Sequence, residues 1–163
     1  MAEETKIQWT DHTFNPWIGC QHVSPGCKFC YAETMMDHRY GKVEWGPHGE
    51  RKRTAEANWK LPIRWAKLAV ARGESSRVFS ASLADIFDNK APEGARDDLF
   101  DLIRKTPELD WQLLTKRPEN IGKMLPADWY GGPYDPDDID EKQIVAALKR
   151  FAGGLRLRRP KSS

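Results

Sequence analysis

Three cysteines, Cys20, Cys27 and Cys30, fall within eleven consecutive positions, and the chain has no others. Cys27 and Cys30 stand two residues apart, so both thiolates can reach one metal ion or two irons of one cluster. Cys20 comes from upstream across Ser24-Pro25-Gly26, a triplet that continues neither a strand nor a helix. An odd number of thiols fits a disulfide framework poorly, and reducing compartments keep thiols free. Ligation of a metal or cluster is the leading reading. Three thiolates without a fourth leave one position open, on a [4Fe–4S] cluster or on zinc. His22, inside the loop, offers a fourth ligand for a Cys3His zinc site, and His12 and His38 flank the loop.

The rest of the composition describes the chain that must hold this loop. Its 163 residues suit one compact domain. Seven Trp and six Phe argue against a wholly disordered chain, because disordered segments are poor in aromatics. No apolar run is long enough to span a membrane. The first residues, Met1 to Lys6, lack the basic-then-apolar order of a signal peptide, so a cytoplasmic protein is expected. The formal charge of +2 averages two regions. Residues 149–163 carry six basic side chains and no acid, which leaves 20 basic against 24 acidic residues in 1–148. A mildly acidic body does not suggest a protein that clamps DNA through its phosphates. The short basic tail reads as disordered.

Along the chain, Ile7 to Gly19 reads as an entering strand that ends in a turn. Residues 31–39 favour a helix with Gly41 as its stop, and 42–60 read as a long polar loop. A second helix starts near Pro62, with Ile63, Ala66, Ala69 and Val70 on one face and Gly73 closing it. Residues 77–82 form a strand. Ala91-Pro92-Glu93 opens a third helix with an apolar face of Ala95, Leu99, Leu102 and Ile103, stopped by Pro107. Residues 109–115 form the next strand, and Pro118 begins a short helix carrying Ile121, Met124 and Leu125. This alternation predicts an α/β fold of about three βα units with a parallel sheet, like part of a βα barrel. In such sheets the loops after the strands assemble the site. Ser80, Ser82, Asp85, Lys116 and Arg117 would all face that end. The plainer readings are that Asp85 caps a turn, that Lys116-Arg117 is a solvated loop, and that the serines bond to backbone.

Asn15-Pro16-Trp17-Ile18-Gly19-Cys20, followed by Cys27-Lys28-Phe29-Cys30-Tyr31-Ala32-Glu33, resembles the cluster loop of radical S-adenosylmethionine (SAM) enzymes. It is closer still to the three-cysteine-motif proteins encoded by bacteriophages and their hosts. The narrower resemblance includes Ile7-Gln8-Trp9-Thr10, residues 79–87, and Trp111 to Pro118. It implies a [4Fe–4S] cluster on Cys20, Cys27 and Cys30, SAM as ligand of the open iron, and Phe29 near the adenine. Ser80, Ser82 and Asp85 occupy the place where the family has its glycine-rich motif, and with Lys116 at the next strand end they are the candidate cofactor-binding residues. The company the family keeps also points to a nucleotide or nucleic acid as substrate. Two departures stand out. Six residues separate Cys20 from Cys27 where most radical SAM enzymes have fewer, and no glycine-rich acidic motif follows the second strand.

The resemblance covers residues 5–126, read as a partial radical SAM-like βα domain. Residues 127–163 read as an acidic Pro/Gly linker, an amphipathic helix at 141–151 through Ile144, Val145, Leu148 and Phe151, and the basic tail. Asp128, Asp135, Asp137, Asp138 and Asp140, with Pro133 and Pro136, cannot make a buried parallel strand. The expectation is a truncated barrel. Its open sheet edge would be covered by that helix or by a protein partner.

Overall fold

The computed structural model describes residues 5–130, 135 and 138–151, with side chains as far as residue 146. The basic tail and the side chains of Leu148 and Phe151 lie outside the described residues. Three parallel strands form the main sheet: β1 (His12–Phe14), β4 (Ser76–Ser80) and β5 (Leu109–Leu113), in the order β1-β4-β5. A second, two-stranded sheet pairs β2 (Trp17–Ile18) antiparallel with β3 (Lys52–Arg53). The fold is therefore mixed helix and strand, and among the described residues the parallel sheet stays open and closes no barrel.

The expected first strand is split by its own sequence. Asn15 turns away at the end of β1, and Pro16, which lacks an amide proton, cannot extend a ladder. The chain resumes at Trp17 to pair with β3 instead. Residues 42–60 are a larger correction, because they are far from a plain polar loop. They supply β3, the short helix α2 (Glu56–Trp59), and buried Val43, Trp45, Arg51 and Trp59. A two-residue strand has no periodicity to detect, and its pairing partner lies far upstream. The Arg53 guanidinium sits 4.2 Å from the centre of the Trp59 ring and covers it.

Helix α3 (Leu61–Arg72) has Pro62 in its first turn and ends where Gly73 takes a left-handed φ of 66°. The amides of Gly73 and Glu74 return to the carbonyls of Val70 and Ala69, which satisfies two terminal acceptors. Its inner face is Pro62, Trp65, Ala66 and Ala69, whereas Val70 is 62% exposed. The expected face was rotated because Trp65 outcompetes Val70 for the core. Its indole stacks on His12 of β1 with ring centres 4.3 Å apart. Helix α4 (Ala95–Lys105) buries Ala95, Leu99, Leu102 and Ile103 as the spacing predicts, and adds Phe100. Asp97 and Asp98 in its first turn and Arg104 and Lys105 in its last complement the helix dipole.

The core joins these helices to the sheet through Phe14, Val78, Leu99, Leu109 and Trp111. It continues past residue 126. Trp129 is buried and meets Phe100 edge-on, and Arg104 bonds to Asp128. After helix α5 (Pro118–Met124), Ile139 and Ile144 pack over Gly122. Helix α6 (Glu141–Phe151) is opened by a capping box, since Asp140 and Gln143 exchange backbone-to-side-chain bonds of 2.9 and 2.7 Å. No helix among the described residues is long and apolar enough to cross a membrane.

The entry to β1 is fixed by a forked ion pair. Asp11 accepts from the Arg77 amide at 2.8 Å and from its guanidinium at 3.1 and 3.0 Å. The Arg77 hydrogen bond holds the Asp11 carboxyl below its ordinary value. Both side chains are about two-fifths exposed (42% and 41%), so solvent screening keeps the contribution small. Asp11→Asn is expected to cost less than about 1 kcal/mol in urea unfolding near neutral pH. A depressed carboxyl stabilises the fold above its unfolded pKa of about 3.9, so the difference between variant and parent should vanish as pH falls below that range.

Candidate functional site

The strand registers set up the site. Phe14 lies opposite Ser80, and Ser80 opposite Leu113, so all three parallel strands end at one level. The segments that follow, residues 15–20, 81–88 and 114–117, meet at the carboxyl ends of the strands. Asn15 binds the first two together. Its side-chain amide donates to the Ser82 hydroxyl at 3.0 Å, and its side-chain oxygen accepts the Leu83 amide at 2.8 Å. Its carbonyl accepts from Thr54 and Asn58 at 2.8 and 3.1 Å. Ala81 makes the turn out of β4 with φ at 68°, an uncommon conformation for a residue with a side chain.

Cys20 to Cys30 close over these loops. Pro25–Cys27 form a single 3-10 turn, with the Cys27 amide bonded to the Ser24 carbonyl at 2.9 Å. Cys30 precedes helix α1 (Tyr31–Glu33), which runs into a π-helical segment, Thr34–Arg39. Such wide turns concentrate at functional sites. Ala32 and Met36 pack with Val43, Trp45 and Leu83 in a small apolar cluster of their own, against which Cys20 and Cys30 rest.

All three cysteines line one cavity of about 120 Å³, together with Ser82, Asp85, Thr115, Lys116 and Arg117. The sequence places the cysteines within one loop, but their meeting with residues from behind β4 and β5 comes from the fold. Asp85 combines turn cap and tether. One oxygen accepts the Phe87 amide at 2.9 Å and the Thr115 hydroxyl at 2.8 Å. The other accepts the Lys116 amide at 2.9 Å and lies 3.2 Å from Arg117 Nη1. Lys116 reaches across to the cysteine loop and donates to the Gly26 carbonyl at 2.8 Å.

Arg117 is the residue whose solvated-loop reading fails. Its side chain is only 3% exposed, and Nη1 lies 3.5 Å from the Cys20 sulfur. Behind it stand two residues that the sequence did not single out. Asp88 sits 3.8 Å from Arg117 Nη2 and accepts from Arg51 Nε at 2.8 Å, with both side chains of the Arg51 pair buried. Arg51 in turn donates to the Gly46 and Gly49 carbonyls. Gly49 has no room for a side chain, because a Cβ would meet the Glu44 carbonyl oxygen at 2.0 Å.

The other expected site residues are placed differently. Phe29 is 89% exposed on the loop and lies outside the cavity lining, with Lys28 Nζ 5.6 Å from its ring centre. His22 lines the cavity, but its Nε2 is held at 2.6 Å by Glu33. Ser80 is fully buried in β4, its hydroxyl has no hydrogen-bond partner, and it does not line the cavity. Ser80→Ala removes a desolvated hydroxyl and is therefore expected to leave thermal stability unchanged or raise it by about 1 kcal/mol. A loss of metal content in that variant would show instead that the hydroxyl serves the site.

The sulfur donors differ in their electrostatics. Burial raises the Cys27 pKa, but backbone hydrogen bonds at Val23 and Ser24, the Ser24 hydroxyl and the Lys116 ammonium outweigh it and bring the pKa down to about 7. Burial pushes the Cys20 thiol up, against the hydrogen bond and charge of Arg117. A thiol near neutrality supplies the thiolate that iron or zinc requires. An all-sulfur donor set on one cavity suits either. Among the described residues, no three His, Cys, Asp or Glu side chains are already gathered at metal-binding distance.

Fold and site together define an α/β protein with a three-thiol cavity at the carboxyl ends of an open parallel sheet. Residues 4–144 match the family described as protein of unknown function (DUF5131), and the chain belongs to that family. No curated protein and no solved structure matches it.

Proposed function

We propose that this chain carries a [4Fe–4S] cluster on Cys20, Cys27 and Cys30 and is a radical SAM-type protein. The observation that carries this reading is the convergence of all three thiols and the two later strand-end loops on one small cavity. When bound, such a cluster supplies the single electron that cleaves SAM reductively. The chain's own part is to hold and orient. Lys116 clasps the cysteine loop through the Gly26 carbonyl, and Asp85 keeps Thr115, Lys116 and Arg117 in place behind it. Val23 and Leu114, both partly open to solvent, add apolar surface to the cavity lining. The cavity has room for a compact inorganic group, but falls below the roughly 300–1,000 Å³ that encloses an organic cofactor. Phe29, exposed and adjacent in sequence to Cys30, offers an apolar face for a nucleoside base.

Glu33 takes His22 Nε2 and leaves Nδ1 for a metal, the usual pairing behind a ligating histidine, so His22 supports the zinc alternative and the metal content decides between the two. The test is anaerobic reconstitution with iron and sulfide. About four irons per chain and a brown absorption near ~400 nm are expected. Phe29→Ala should then weaken SAM binding in calorimetry at unchanged iron content. A colourless protein with stoichiometric zinc, lost in His22→Ala, would overturn this reading in favour of a zinc-binding interaction module.

A further inference from the structure

We infer that Arg117 is a positioning residue that sets the electronic state of the cysteine site, through an N–H···S hydrogen bond to Cys20. This rests on the cluster reading above. A guanidinium enters a protein interior only at the expense of its hydration, and it needs partners there. Arg117 has Asp85 at 3.2 Å and Asp88 at 3.8 Å, but Asp88 makes its closer contact with Arg51 at 2.8 Å. Two guanidiniums and two carboxylates balance before any sulfur is counted. Thiolates in the cavity then add negative charge, and Arg117 is the buried cation in contact with one of them, 3.5 Å from Cys20 Sγ. Its Nη2 is buried without a hydrogen-bond partner, which leaves donor capacity on a residue that lines the cavity.

The chemical consequence follows from the donor's charge. A hydrogen bond to a ligating sulfur withdraws electron density and favours the form that holds one more electron. Reduction here means one electron accepted from an external low-potential donor, dithionite in the experiment, with no bond made or broken. Arg117 therefore raises the potential at which the site accepts that electron. Loss of the guanidinium would also leave Asp85 uncompensated beside the sulfur, which acts in the same direction.

The experiment uses the full chain, reconstituted, with nitrogen-15-labelled arginine. Redox titration followed by electron paramagnetic resonance gives the midpoint potential, and pulsed measurements on the reduced protein detect nitrogen coupled to the cluster. The parent chain should show a nitrogen-15 coupling. Arg117→Lys, which keeps a charge but not the fork, should lose it at full iron content. The ratio of reduced to oxidised cluster at a fixed potential should fall about tenfold in that variant, equivalent to about 59 mV for one electron. Absence of the coupling in the parent overturns the inference, as does an unchanged potential in an iron-replete Arg117→Lys. A parent chain that takes up no iron overturns the cluster reading itself.

Discussion

Alanine at any one of Cys20, Cys27 or Cys30 is expected to abolish stable binding of a four-iron cluster. Each thiolate would hold a separate iron, so the loss of one leaves two open positions exposed to solvent and oxidant. Iron and sulfide analysis after anaerobic reconstitution, with the parent chain alongside, measures this directly. The three variants should differ in stability. Cys27 is buried, so its replacement removes packed sulfur in addition to a ligand, whereas Cys20 and Cys30 are partly exposed. A full, stable cluster in Cys20→Ala would remove that residue from the site and leave Arg117 with no sulfur to serve.

The largest effect on folding is expected from Asp88→Asn. The substitution keeps the shape and removes the charge that faces Arg51 at 2.8 Å in a fully enclosed setting. Breaking one side of a buried ion pair costs about 3–5 kcal/mol, because the partner charge is left uncompensated. For a chain of this length that is a drop of about 6–20 °C in Tm. Asp88 also accepts the Lys90 amide at 3.0 Å, a bond that asparagine can keep through its side-chain oxygen. Adding Arg51→Met removes the orphaned charge but also strips the Gly46 and Gly49 carbonyls of their donor, so the double variant should still melt below the parent. Circular dichroism melts of the two variants test both statements. If the single variant melts within 2 °C of the parent, roughly the effect of a surface change, then the buried network does not support the fold.

What could be read from the sequence depended on how local each signal was. The inner face of α4 was legible because Ala95, Leu99, Leu102 and Ile103 repeat at helical spacing. In α3 the same rule misjudged the phase, since Trp65 and Val70 lie on different faces and only packing against His12 decides between them. The cysteine loop announced itself through spacing alone. Arg51 and Asp88 did not, because a charge gives no sign in sequence that it will be buried, and these partners are 37 positions apart. Lys116-Arg117 shows the limit most clearly. One of two adjacent cations stays exposed and the other is enclosed, and nothing in the dipeptide separates them.

The network around Asn15 has a consequence for when the site takes shape. Ordering a residue's backbone costs about 1–2 kcal/mol, and a loop arranged only by its ligand would subtract that cost from affinity. Here the Gly19 amide is bonded to the Leu83 carbonyl, the Cys20 carbonyl to the Gly46 amide, and the Gly26 carbonyl to Lys116. With Asn15 joining the first two strand-end loops, these ties are made by protein groups alone. The cysteine loop is thus held in place by folding before any inorganic group arrives. Uptake then needs only a local closing of the three sulfurs, which among the described residues are not yet gathered at metal-binding distance, and the apo-protein should keep its native amide protection where the loop is tied, at Gly19 and Gly46.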